Sequence, residues 1–136
     1  MSKREEFKLE FYKERDRIDG DIYYVCISEV ENNPYGSLNF LSFLDSVEIE
    51  YFINEISIIQ KGLIFDPDFI YTGGTEGIMI EFNNPYFLID NYLNIHMDDL
   101  KSILQEYKDF QKQNPVTFFD RIIMLLYKFR QMIKLS

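Results

Sequence analysis

The sequence predicts one α+β domain, 1–136, in which an antiparallel sheet of four to five strands carries about three to four helices packed on one face. Three observations predict it. Phe7, Leu9 and Phe11 alternate with Lys8, Glu10 and Tyr12, the period of a half-buried strand. Over 97–112, Leu100, Ile103, Leu104 and Tyr107 recur at the spacing of an amphipathic helix. The chain has 136 residues, 46% apolar and 27% charged, which is enough for one globular domain with its own core.

The first elements form a hairpin. Strand-like residues over 7–15 and 21–30 flank Asp19-Gly20, a turn signal, and Asn32-Asn33-Pro34-Tyr35-Gly36 closes the unit. Residues 37–61 read as helix in two pieces, with Leu38, Leu41 and Leu44 on the first. Ile49, Phe52, Ile53, Ile56 and Ile59 line the second, which Ser46 is placed to cap and Gly62 to end. Two short strands are expected at 68–72 and 77–82, joined by the Gly73-Gly74-Thr75-Glu76-Gly77 loop. A further strand or extended crossing segment spans 86–94. The helix over 97–112 starts on Asp98 and Asp99, which suit its dipole, and Pro115 ends it. Thr117 and Asp120 stand at capping spacing before a last helix over 118–133. That helix is apolar at Phe118, Ile122, Leu125, Leu126, Phe129 and Ile133, and basic at Arg121, Lys128, Arg130 and Lys134. An anionic membrane or nucleic acid could receive such a helix, but the expectation is that it packs on the sheet.

Composition excludes several chemistries. One cysteine, Cys26, leaves no internal disulfide and no cysteine-built zinc site. One histidine, His96, rules out multi-histidine metal sites and most Ser-His-Asp arrangements within one subunit. His96 suits a cap position before its helix, and Cys26 a buried strand position. The glycine cluster lacks the basic residue and the strand–loop–helix setting of a phosphate loop, and reads as a turn. The pairs Asp66/Asp68 and Asp98/Asp99 match no calcium-loop spacing, and read as a loop and a helix start. No catalytic set, metal site or cofactor is expected, so the chain reads as non-enzymatic. The N-terminus lacks the apolar stretch of a signal peptide and no run of 18 apolar residues occurs, so a cytoplasmic location and no membrane partner are expected.

Charge is the strongest functional signal. Residues 1–20 balance at net 0, residues 101–136 hold net +4, and residues 21–100 hold fourteen acidic side chains against Lys61 alone, net −13. Such a surface repels nucleic acid and anionic lipid, and suits a cationic protein or a metal ion. Tyrosine, with ten residues, adds contact area with a hydrogen-bonding tip. The candidate partner-binding residues are Asp66, Asp68, Tyr71, Glu76 and Glu81 around the second hairpin, then Glu48, Glu50 and Glu55 on the preceding helix.

With its small size, acidic charge, mixed organisation and the run Phe87-Leu-Ile-Asp-Asn-Tyr-Leu-Asn-Ile-His-Met-Asp-Asp-Leu-Lys-Ser-Ile-Leu, ending at Leu104, the chain resembles the immunity proteins of bacterial polymorphic toxins, such as contact-dependent growth inhibition systems. The resemblance implies a cytoplasmic inhibitor that binds one cognate toxin domain, often a basic nuclease, and carries over no individual residue. The alternatives are a nucleic-acid mimic that inhibits a DNA- or RNA-binding protein, a small-molecule-binding or enzymatic domain, and an oligomerising accessory protein that uses an apolar helix face.

Overall fold

Alternating residues build a hairpin from β1 (Glu10–Arg15) and β2 (Ile22–Ile27), paired antiparallel from Glu10 against Ile27 to Arg15 against Ile22. A computed structural model describes residues 1–69 and 77–135. A short helix, α1 (Lys3–Glu6), precedes β1. Glu106 holds it by accepting from the Lys3 and Arg4 amides at 2.9 and 3.1 Å.

The expected first helical piece is a 3-10 helix, η1 (Pro34–Phe43), capped by Asn33, whose side chain accepts from the Tyr35 amide. The spacing of three between Leu38 and Leu41 suits three residues per turn, and both are fully buried with Phe40. The second piece is α2 (Ser46–Gln60). Its cap is Asp45 rather than Ser46: Asp45 accepts from the Glu48 amide and Glu48 returns to the Asp45 amide, a full capping box. Ser46 instead donates to Gln111.

A meander follows: β3 (Ile80–Asn83), β4 (Tyr86–Ile89) and β5 (Leu93–His96). The expected segment 86–94 is thus two strands, turned at Asp90 and Asn91, which both take positive φ. Of the strand expected at 68–72, only Asp68 and Phe69 fall among the described residues, and they form a turn. Among the described residues the single sheet of four to five strands is therefore corrected to two sheets, of two and three strands, in a mixed α+β arrangement with five helices. The physical reason is η1, which packs on both β2 and β5, so the sheets meet through it and not edge to edge.

The helix α3 (Met97–Gln113) buries Met97, Leu100, Ile103, Leu104 and Tyr107, and packs against α2, α1 and β5. One cluster of buried side chains unites both sheets, η1, α2 and α3. The last helix, α4 (Phe118–Leu135), stands outside that cluster. Its expected packing by an apolar face is corrected: Phe118, Leu125, Leu126, Phe129 and Met132 are 60–80% exposed. The face turned to the hairpin is the polar one. Asp120 accepts from Lys13 at 2.7 Å and Arg15 at 2.8 Å, Tyr127 lies on Gly20, and Gln131 donates to the Ile18 carbonyl. Thr117 and Asp120 cap the helix reciprocally, as their spacing predicts.

Lys13 first, with the Thr117 amide, holds the Asp120 carboxyl far below the usual carboxylate range. A depressed folded pKa stabilises α4 docking above the unfolded value of about 3.9, and that stability is lost as pH falls through and below it. Acid titration followed at the Gly20 amide by NMR is expected to show α4 loosening below about pH 4. Asp120→Asn is expected to flatten that transition, and an unchanged profile would contradict the assignment.

Candidate protein-docking surface

Strand alternation gives the three-stranded sheet two chemically distinct faces. Ile80, Phe82, Phe87, Ile89, Leu93 and Ile95 turn toward the core. Glu81, Asn83, Tyr86, Leu88, Asn94 and His96 alternate with them on the outer face, where Glu81 pairs with Leu88, Leu88 with Asn94, and Tyr86 with His96. The Tyr86 and His96 rings meet edge to face at 5.4 Å. Glu81, Asn83, Tyr86, Leu88 and Asn94 line a shallow concavity of about 270 Å³. Open, with a tyrosine among amides and a carboxylate, it has the composition of a protein-contact patch rather than of an enclosing ligand pocket.

His96 caps α3 by accepting from the Asp98 amide through Nδ1 at 3.0 Å, which commits that nitrogen to a structural bond. Asp98 lies 3.7 Å from the same nitrogen. Burial pushes the Cys26 thiol up to about 12, so it stays protonated, and its strand is tied to Ser42 on both backbone groups. Among the described residues no group of three metal-ligating side chains converges, and no helix is long and apolar enough to cross a membrane.

The structure separates the candidate binding residues. Glu48 is held in the α2 capping box. Glu50 is exposed and pairs with Lys108 at 3.4 Å. Glu55 is buried and accepts from the Asp66 amide at 3.0 Å, which anchors the loop after α2 from below. Asp66 accepts from the Tyr51 hydroxyl and from the Asp68 amide. Tyr51 holds the Asp66 carboxyl below its ordinary value, while that bond pushes the Tyr51 phenol up to about 12. Asp68 and Glu81 are exposed, and among the described residues their side chains meet no hydrogen-bond or ion-pair partner. Phe65 and Phe69 pack on Phe82, so the Asp66–Asp68 turn sits at the inner edge of β3, whereas Glu81 points outward. Tyr71 and Glu76 lie outside the described residues.

The carboxylate excess survives folding. Of the fourteen acidic residues between 21 and 100, Glu76 is not described. Among the rest, a Lys or Arg reaches only Glu50 and Asp99, the latter through Lys3 at 3.0 Å. Near the N-terminus, Lys3, Arg4, Lys13 and Arg15 pair instead with Glu6, Glu10 and Asp120. Sequence reasoning missed Tyr86, Asn94 and His96 as partners of Glu81 on one face. The alternation of Tyr86, Leu88, Asn94 and His96 with buried neighbours carries that signal once 86–96 is split into two strands. Comparison with protein-family models, with curated proteins and with solved structures finds no match to this chain.

Proposed function

We propose that the chain is a non-enzymatic acidic inhibitor of the immunity type, which binds and neutralises a cognate basic toxin domain in the cytoplasm. One observation carries the reading: between residues 21 and 100 the described carboxylates remain almost free of Lys and Arg partners after folding. Uncompensated charge lowers stability through self-repulsion, and its return is attraction and steering of a cationic partner. The outer face of β3–β5 supplies the contact chemistry, with Glu81 for the cation, Tyr86 for buried area, and Asn83 and Asn94 for hydrogen bonds. Glu48, Glu55 and Asp66 are held in hydrogen bonds that serve the fold, which leaves Asp68 and Glu81 as the acidic contacts.

The test is co-expression with the product of the gene directly upstream. A stable complex is expected on affinity purification, together with rescue of growth when the C-terminal domain of that product is expressed. The variant Asp68→Lys/Glu81→Lys is expected to keep the fold and to slow association by about tenfold or more. Absence of both complex and rescue would overturn the proposal.

A further inference from the structure

We propose that α4 is a surface-seeking helix that lies on anionic phospholipid, with its apolar stripe in the boundary between headgroups and acyl chains and its basic flanks on lipid phosphates. Phe118, Ile122, Leu125, Leu126, Phe129 and Met132 recur at intervals of three and four, so they form one stripe along the helix. The residues that dock α4 to the hairpin, Asp120, Tyr127 and Gln131, lie on the roughly opposite side at 3.6 residues per turn. The stripe therefore faces away from the hairpin, with its side chains exposed.

Its size marks it as an interaction surface. The six side chains are 39–80% exposed. At ordinary side-chain areas they present on the order of 700 Å² of apolar surface, above the roughly 300–600 Å² that is the largest patch on a typical monomer.

Charge selects the occupant. Arg121 and Lys128 flank one side of the stripe, and Arg130 and Lys134 the other. The one acid of the helix, Asp120, is turned inward and bonded to Lys13 and Arg15. The outward half of α4 is thus apolar and cationic with no carboxylate, the pattern of a helix that settles into an anionic interface. A second copy laid along the same stripe would set these four cations against their own counterparts, with no acid on either helix to answer them. Beside the stripe, Arg17, Arg130 and Lys134 converge with Tyr127 and Gln131 around a cleft of about 320 Å³ between the hairpin turn and α4. Among the described residues none of these three cations is in an ion pair, and a cleft so lined receives a phosphate headgroup. Asp16 and Asp19 in the adjoining turn accept from the Ile18 and Asp21 amides within that turn. The net acidity of the rest of the chain acts weakly at the helix, because the screening length is about 8 Å at physiological salt.

The experiment is flotation of the full chain with vesicles of phosphatidylcholine alone and of phosphatidylcholine with phosphatidylglycerol, alongside sedimentation without lipid. The chain is expected to float with the anionic vesicles, to stay behind with the neutral ones, and to be released by salt. Leu125→Glu/Phe129→Glu changes only exposed positions and is expected to keep the circular dichroism of the parent and to abolish flotation. Arg17→Gln/Arg130→Gln/Lys134→Gln is expected to weaken it by about tenfold or more. Failure of the parent chain to float overturns the proposal. So does flotation indifferent to both variants, or a dimer that Leu125→Glu/Phe129→Glu dissolves while no vesicle is bound.

Discussion

Replacing Phe52 by alanine is expected to lower stability by about 3–5 kcal/mol, the range for a large aromatic removed from a packed core. Phe52 is fully buried on α2 and joins two parts of the molecule. Its ring lies 6.3 Å from Phe40 on η1 and 5.0 Å from Phe69 in the turn beyond α2. Phe69 in turn meets Phe65, Phe82 and Phe87, so a chain of rings runs from the 3-10 helix to the three-stranded sheet. Truncation opens a cavity in the middle of that chain, and the loss is a large share of the roughly 5–15 kcal/mol that holds a domain folded. Phe43→Ala is the control, because Phe43 is 64% exposed and is expected to cost less than about 1 kcal/mol. Urea unfolding of both variants measures the contrast. Equal midpoints would show that the aromatic chain does not organise the core.

The second large effect is expected at Gly20. Its φ of +75° lies in the left-handed region, and an added Cβ would stand 2.5 Å from Cγ of Tyr127. The backbone strain of alanine there costs about 1–2 kcal/mol. The overlap with an aromatic ring held by α4 brings the total to about 2–4 kcal/mol. Gly62 separates the two contributions: its φ is +71°, yet nothing lies within 4 Å of an added Cβ. Gly62→Ala is therefore expected to show the strain alone, about 1 kcal/mol. Hydrogen exchange locates the damage. Gly20→Ala is expected to deprotect 118–135 while α2 and α3 stay protected, because α4 shares no buried apolar cluster with them. Matching losses in the two glycine variants would contradict the close approach of Tyr127.

Local chemistry was legible where one element settled its own geometry. Asp19-Gly20 placed the first turn, His96 its cap and Thr117/Asp120 the reciprocal cap of α4, because each feature depends on a few neighbouring residues. The division into two sheets was not legible. It follows from η1 packing on both β2 and β5, a long-range contact with no periodic signature. The fate of α4 was misread for a related reason. An apolar stripe announces that a helix buries one face, but not against what, and here Asp120, Tyr127 and Gln131 win the contact with the body. The candidate site was legible as an excess of carboxylates and illegible as positions. Glu48 and Glu55 look like their neighbours in the sequence, and only the fold ties one to a helix cap and the other to the Asp66 amide.

The surplus of carboxylates that folding leaves unanswered is the centre of the functional account, and association kinetics reach it most directly. The rate of complex formation between this chain and the proposed toxin partner is measured as salt is raised. The rate is expected to fall by about tenfold or more from low to physiological ionic strength, with a smaller fall for Asp68→Lys/Glu81→Lys. A rate indifferent to salt in both proteins would contradict it.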